Sequence, residues 1–194
     1  MKIMANDDKY LLLGLALLSA TMVSACSKKL SNIEEEGIQY IREIEKMARD
    51  VYLYFYDTWG IPIMNSISQS EQTHMDIVKP LIESYRLEDP VDNNDIGKFT
   101  NQNLQDLYSE LIEQGSLSEV DALTVSSMIE EIDIIDIQNY LKQTDENDIA
   151  TAYNTLLEGS RNHLRIFVSH LKDIGLEYQP NYLTQQDYDN IVQN

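Results

Sequence analysis

Four stretches of this chain repeat their apolar residues at steps of three and four, the spacing that lines one face of an α-helix. Ile38, Ile41, Ala48, Tyr52, Phe55 and Trp59 mark the first, from Ile33 to about Thr58. Gly60 and Pro62 interrupt it, and Ile67, Val78 and Leu81 carry a second from about Ile63 to Tyr85. Pro80 falls inside that second pattern and lacks the amide proton a helix needs, so a kink or an early end near Lys79 is expected. Ser118 and Asp121 resemble a capping box that opens a third helix, about Glu119 to Lys142. A fourth runs from about Asp148 to Ile174 and stops at Gly175. Between the second and third lie turn-forming residues, Asp89 to Gly97, and a shorter helix from about Gln102 to Glu113. Thr184 and Asp187 cap one last short helix. No strand-like alternation lasts long enough for a sheet. The expected fold is all-α: two short-loop helix pairs joined by a long crossover with a short helix in it, a four-helix bundle.

Charge and cysteine content narrow the function. Thirty-three acidic against fourteen basic residues give a formal charge of −19, which repels a polyanion and argues against nucleic acid as a partner. The single cysteine, Cys26, cannot form an internal disulfide or a multi-thiolate metal site. It follows Lys2 and Lys9, an apolar run from Tyr10 to Ala20, and the small residues of Val23-Ser24-Ala25, which is the layout of a signal peptide. That run is shorter than the ~20 residues a membrane span needs. Val-Ser-Ala-Cys resembles the bacterial lipobox, and the resemblance implies cleavage before Cys26 and lipid on that residue; an ordinary secretory signal, or a short membrane anchor with a buried free thiol, is the alternative. The expected organisation is a signal peptide over 1–25, a tether over 26–32, the bundle over 33–176 and a tail with a short helix over 177–194. The body would then be extracytoplasmic, in the cell envelope, with the membrane as partner through lipid on Cys26.

Ionisable residues interrupt every apolar stripe. Glu45 stands in the first, Glu71 and His74 in the second, Glu130 and Asp133 in the third, and His163, with Ser160, in the fourth. An unpaired carboxylate in an apolar interior costs several kcal/mol, so convergent carboxylates require protonation or a counter-charge. With both histidines neutral, the four carboxylates balance two divalent ions. Glu71-Gln72-Thr73-His74 sets carboxylate and imidazole one turn apart on one face, able to hold one ion from one helix. The carboxylate bundles that hold paired iron or manganese take a Glu from each of two helices and Glu-x-x-His from each of the other two. Here the fourth helix offers Ser160-Arg161-Asn162-His163, which keeps the histidine and lacks the carboxylate. Asp133, one turn from Glu130, is the candidate substitute; in this arrangement Glu130 bridges the ions, and Glu45 and Asp133 terminate them. Glu43 and Glu131 lie close to the chosen positions, and periodicity prefers Glu45 and Glu130. Tyr52 falls near the cluster, where it can relay electrons or bond a ligand carboxylate. His170 reads as structural or surface, and the methionines as packing.

Glu45 with Tyr52 seven residues on is similar to the first-helix segment of rubrerythrin-type ferritin-like proteins. The segments Arg42-Glu43-Ile44-Glu45-Lys46-Met47-Ala48-Arg49-Asp50-Val51-Tyr52, Ser70-Glu71-Gln72-Thr73-His74-Met75, Glu88-Asp89-Pro90, Ile129-Glu130-Glu131-Ile132-Asp133-Ile134 and Gly159-Ser160-Arg161-Asn162-His163-Leu164 together resemble the ferritin-like family called domain of unknown function 2202. The likeness spans about Glu34 to Ile174. The resemblance implies a ferritin-like fold and a metal centre but no established reaction; the expectation drawn from the site residues is one or two iron or manganese ions doing redox chemistry with oxygen or peroxide, such as ferrous oxidation or peroxide removal, as a metal-dependent oxidoreductase. The competing expectation is a non-catalytic extracytoplasmic lipoprotein that binds or scaffolds, with a structural or vestigial metal site.

Overall fold

The computed structural model describes residues 29–91 and 94–193; the expected signal peptide and Cys26 lie outside them. Among the described residues the chain is all-α, with six helices: α1 (Asn32–Trp59), α2 (Pro62–Tyr85), α3 (Gln102–Gly115), α4 (Glu119–Leu141), α5 (Asn147–Asp173) and α6 (Gln185–Val192). Local chemistry fixes their ends. Ser31 and Glu34 form a reciprocal capping box at the start of α1, and Gly60 ends it with φ 67°. Pro62 opens α2 at a position where its missing N–H is not needed. Ser118 and Thr184 accept the backbone N–H three residues on, at the starts of α4 and α6.

The early end offered as one expectation near Lys79 is not found, because α2 runs through Pro80 to Tyr85. Pro80 and Asp76, whose carbonyl loses its helical donor, are both on the exposed side, where water can bond the freed oxygen.

α1 packs along α2 and α4 along α5, while contacts of α1 with α4 and of α2 with α5 join the pairs into a bundle. The shorter α3 lies on α1 and α4, and α6 on α5. Ile38, Ile41, Phe55, Ile67, Val78, Ile129, Leu156 and Phe167 are among the residues of one continuous apolar core. Among the described residues no helix is long and apolar enough to cross a membrane.

Every residue from Ile41 to Tyr52 of α1 is buried, including five charged ones on the face turned away from the bundle axis. The crossover covers that face. Lys46 Nζ donates to Asp50 Oδ2 at 2.6 Å and to the carbonyls of Asp95 at 2.7 Å and Lys98 at 3.1 Å, with the Phe99 ring centroid 4.4 Å away. Arg49 donates to Asp50 Oδ1, Gln72 and Asn94, and Gly97 N–H donates to Asp50 Oδ2. Arg42 pairs with Asp89. Glu43 accepts backbone N–H groups of Thr100 and Asn101 just ahead of α3. Glu131, on the outer side of α4, accepts the Tyr178 hydroxyl and the N–H groups of Asn181, Tyr182 and Leu183.

Candidate metal centre

Four helices deliver ionisable side chains to one interior region. Glu45 comes from α1, Glu71 and His74 from α2, Glu130 and Asp133 from α4, and His163 from α5. All six are buried. The i, i+3 spacing on α2 sets His74 Nδ1 2.7 Å from Glu71 Oε2, and the same nitrogen lies 3.1 Å from Glu45 Oε2. On the other side of Glu71, His163 Nδ1 is 2.8 Å from Oε1 and 3.6 Å from Glu130 Oε1. Glu71, rather than Glu130, therefore lies between the two imidazoles, one oxygen toward each. The rings stack with centroids 5.3 Å apart. Glu71, His74 and His163 offer ligand atoms that all lie within 4.8 Å of one another, a buried cluster capable of holding a metal ion.

Hydrogen bonding explains only part of this convergence. Both oxygens of Glu71, Glu45 Oε1, Asp133 Oδ1 and His163 Nδ1 are buried without a hydrogen-bond partner. A nitrogen and an oxygen less than 3 Å apart but out of line for a hydrogen bond are placed as two ligands of one cation are, and these donor types suit a divalent transition metal.

The electrostatics point the same way. Burial pushes Glu45 up to about 8, although His74 pulls it down. Burial and the charge of Glu71 push Glu130 up to about 7. Asp133 is raised well above the usual range by burial and by Glu45 and Glu130. Burial would also raise Glu71, but His163 and His74 outweigh it and hold that carboxyl below its ordinary range. The carboxylates in turn overcome burial at the imidazoles, raising His74 to about 12 and His163 to about 10. With both imidazoles charged, the metal-free cluster approaches neutrality when Glu45 and Asp133 keep their protons, which a bound cation would displace.

Surrounding groups orient the cluster. The Tyr52 hydroxyl donates to Glu130 Oε1 at 2.6 Å, and its ring packs 5.2 Å from Phe167. Ser160, where a carboxylate was missing, donates its hydroxyl to Asp133 Oδ2, so the α4 carboxylate reaches across to that position. Gly159 makes room for an imidazole: a Cβ there would meet His74 Nε2 at 2.3 Å. Ser70 Oγ lies 2.9 Å from His163 Nε2. Ser70 and Gly159 open two of the segments that carry the family resemblance, but the sequence assigned neither of them a role in the site. Glu43 and Glu131 are turned away from the cluster and committed to backbone donors, and the exposed His170 bonds the Ile166 carbonyl.

The model of the family described as an uncharacterized protein domain, domain of unknown function 2202, matches residues 34–194. The chain belongs to this family. Within domain of unknown function 2202 it is similar to the uncharacterized protein MJ0754 of Methanocaldococcus jannaschii, 47% identical over 163 residues that cover 84% of this chain and 88% of the relative. A crystal structure of the hypothetical protein MJ0754 from Methanococcus jannaschii superimposes with a TM-score of 0.84 at 46% identity, covering 86% of this chain and 95% of the other.

Proposed function

We propose that this chain is a ferritin-like protein whose four long helices hold a pair of iron or manganese ions, and that it works on oxygen or peroxide as a metal-dependent oxidoreductase. The observation that carries this reading is Glu71, which turns one unpartnered oxygen toward His74 Nδ1 and the other toward His163 Nδ1. Glu45, His74 and Glu71 would hold one ion, and Glu71, His163 and Glu130 the other, with Asp133 alongside. Charge supports two divalent ions, since the four carboxylates then balance them with both histidines neutral.

When bound, iron or manganese supplies the one-electron couple with which oxygen or peroxide reacts. The protein's own part is positional. Tyr52 holds Glu130 Oε1 in place and keeps its phenolic proton, because burial and the Glu130 charge raise its pKa. Ser160 fixes one oxygen of Asp133 and leaves the other free for a cation. Ile129, Leu156 and Phe167 belong to the apolar core that keeps bulk water out. The lipobox resemblance supports a place in the cell envelope, the body outside the cytoplasm and the chain held to a membrane by lipid on Cys26.

Metal analysis after anaerobic loading tests the reading. Two equivalents of iron or manganese are expected, with an optical band on exposure of the ferrous protein to oxygen, and both are lost in Glu71→Ala and His163→Ala. The absence of a carboxylate at Ser160 favours a second reading, a structural site for one ion in a non-catalytic module. One retained equivalent with no oxygen-dependent band would establish that instead. Loss of fatty-acid labelling in Cys26→Ser tests the anchor.

A further inference from the structure

Helices α2 and α5 seat each other's histidine. Gly159 of α5 provides the space for the His74 ring, and Ser70 of α2 meets the outer nitrogen of His163. A neutral imidazole carries one proton, and only the nitrogen without it can bind a cation. His163 turns Nδ1 toward Glu71 and Glu130, so it can ligate there only while the proton stays on Nε2. The opposite tautomer would place a proton on Nδ1, yet that nitrogen has no acceptor in hydrogen-bonding line, even with Glu71 Oε1 2.8 Å away. At Nε2 the partner is the hydroxyl oxygen of half-buried Ser70, which can accept.

We propose that Ser70 is a positioning residue of the centre: its Oγ accepts the Nε2–H of His163, fixes the tautomer that presents Nδ1 to the cluster, and so sets the affinity for a divalent ion. The inference rests on the metal-centre reading and adds a residue to it that the periodicity of α2 does not single out. Outer hydrogen-bond partners of ligating histidines commonly govern affinity in this way.

Cobalt and zinc added to the full-length protein in detergent are suitable probes. Ser70→Ala is expected to weaken Co2+ binding about tenfold, measured by competition with a chelator, and Ser70→Thr, which keeps the hydroxyl, to return it to within about twofold of wild type. The unfolding temperature of metal-free Ser70→Ala is expected to match wild type. In zinc-loaded wild type labelled with 15N-histidine, the His163 proton is expected on Nε2. A proton on Nδ1, unchanged Co2+ affinity in Ser70→Ala, or a Ser70→Thr protein no better than Ser70→Ala overturns the role of Ser70 and leaves the centre standing. A wild-type chain that takes up neither cobalt nor zinc overturns both.

Discussion

α1 buries charge on two faces. Toward the crossover, Asp50 accepts from Lys46, Arg49 and the Gly97 N–H, and the spare donors of Lys46 reach two backbone carbonyls. Toward the bundle axis, Glu45 Oε1 and both oxygens of Glu71 have no hydrogen-bond partner at all. The two faces share composition and burial but not saturation. Buried charge that is fully paired locks one arrangement of the chain, whereas carboxyls left short of hydrogen bonds must hold protons, lean on the neighbouring imidazoles or be completed by something outside the polypeptide. The contrast separates a structural ionic cluster from a binding site where residue types alone do not.

The contrast can be broken by substitution. The largest effect is expected at the saturated face, where Asp50→Ala strands Lys46 and Arg49 and should cost about 3–5 kcal/mol by denaturant unfolding, with or without metal. At the open face, manganous or ferrous ion at a hundred times its dissociation constant should stabilise wild type by about 2.7 kcal/mol and leave Glu71→Ala unmoved, as thermal unfolding can show.

Acidity sharpens the comparison further. Glu45 and Glu130 are raised in the folded, metal-free protein to about 8 and about 7, above their unfolded value, so their protonated forms are the ones the fold prefers. Their contribution to stability is therefore full below the unfolded pKa and lost as pH rises through those folded values. His74 and His163, raised to about 12 and 10, keep their contribution until higher pH. Stability of the metal-free protein is therefore expected to decline as pH rises from about 5 to about 8, read by denaturant unfolding at each pH. Metal affinity should rise over the same interval, because uptake displaces protons. The smallest change is expected for Asp133→Asn, which replaces a carboxyl that the metal-free fold must keep protonated with an amide that is always neutral, and should stabilise the metal-free protein by about 1 kcal/mol while weakening its hold on metal, a sign opposite to that of Asp50→Ala.

The bundle and the cluster left different traces in the sequence. Helix ends were legible because Gly60, Pro62, Ser118 and Gly175 act locally, and Glu45, Glu71, His74, Glu130, Asp133 and His163 stood out because each breaks an apolar stripe. The second buried face of α1 left no such trace. Arg42, Lys46, Arg49 and Asp50 stand in the segment that carries the family resemblance but took no role from it, since several of their partners are backbone groups of the crossover, such as the Asp95 and Lys98 carbonyls, and no side-chain pattern announces those. Ser70 and Gly159 were silent for a related reason, because their meaning lies in a contact with a ring on another helix. At Pro80 the helix continues on an exposed side, where solvent can reach the carbonyl that lacks its helical donor.

Adjacent residues 130 and 131 face opposite ways, one toward the cluster and one toward the carboxyl-terminal segment, whose donors to Glu131 come from Tyr178 to Leu183. Glu131 thereby clamps the back of the turn that presents Glu130 to groups 47 to 52 residues further along the chain, so loosening that distant segment would strand a buried carboxylate directly behind the cluster.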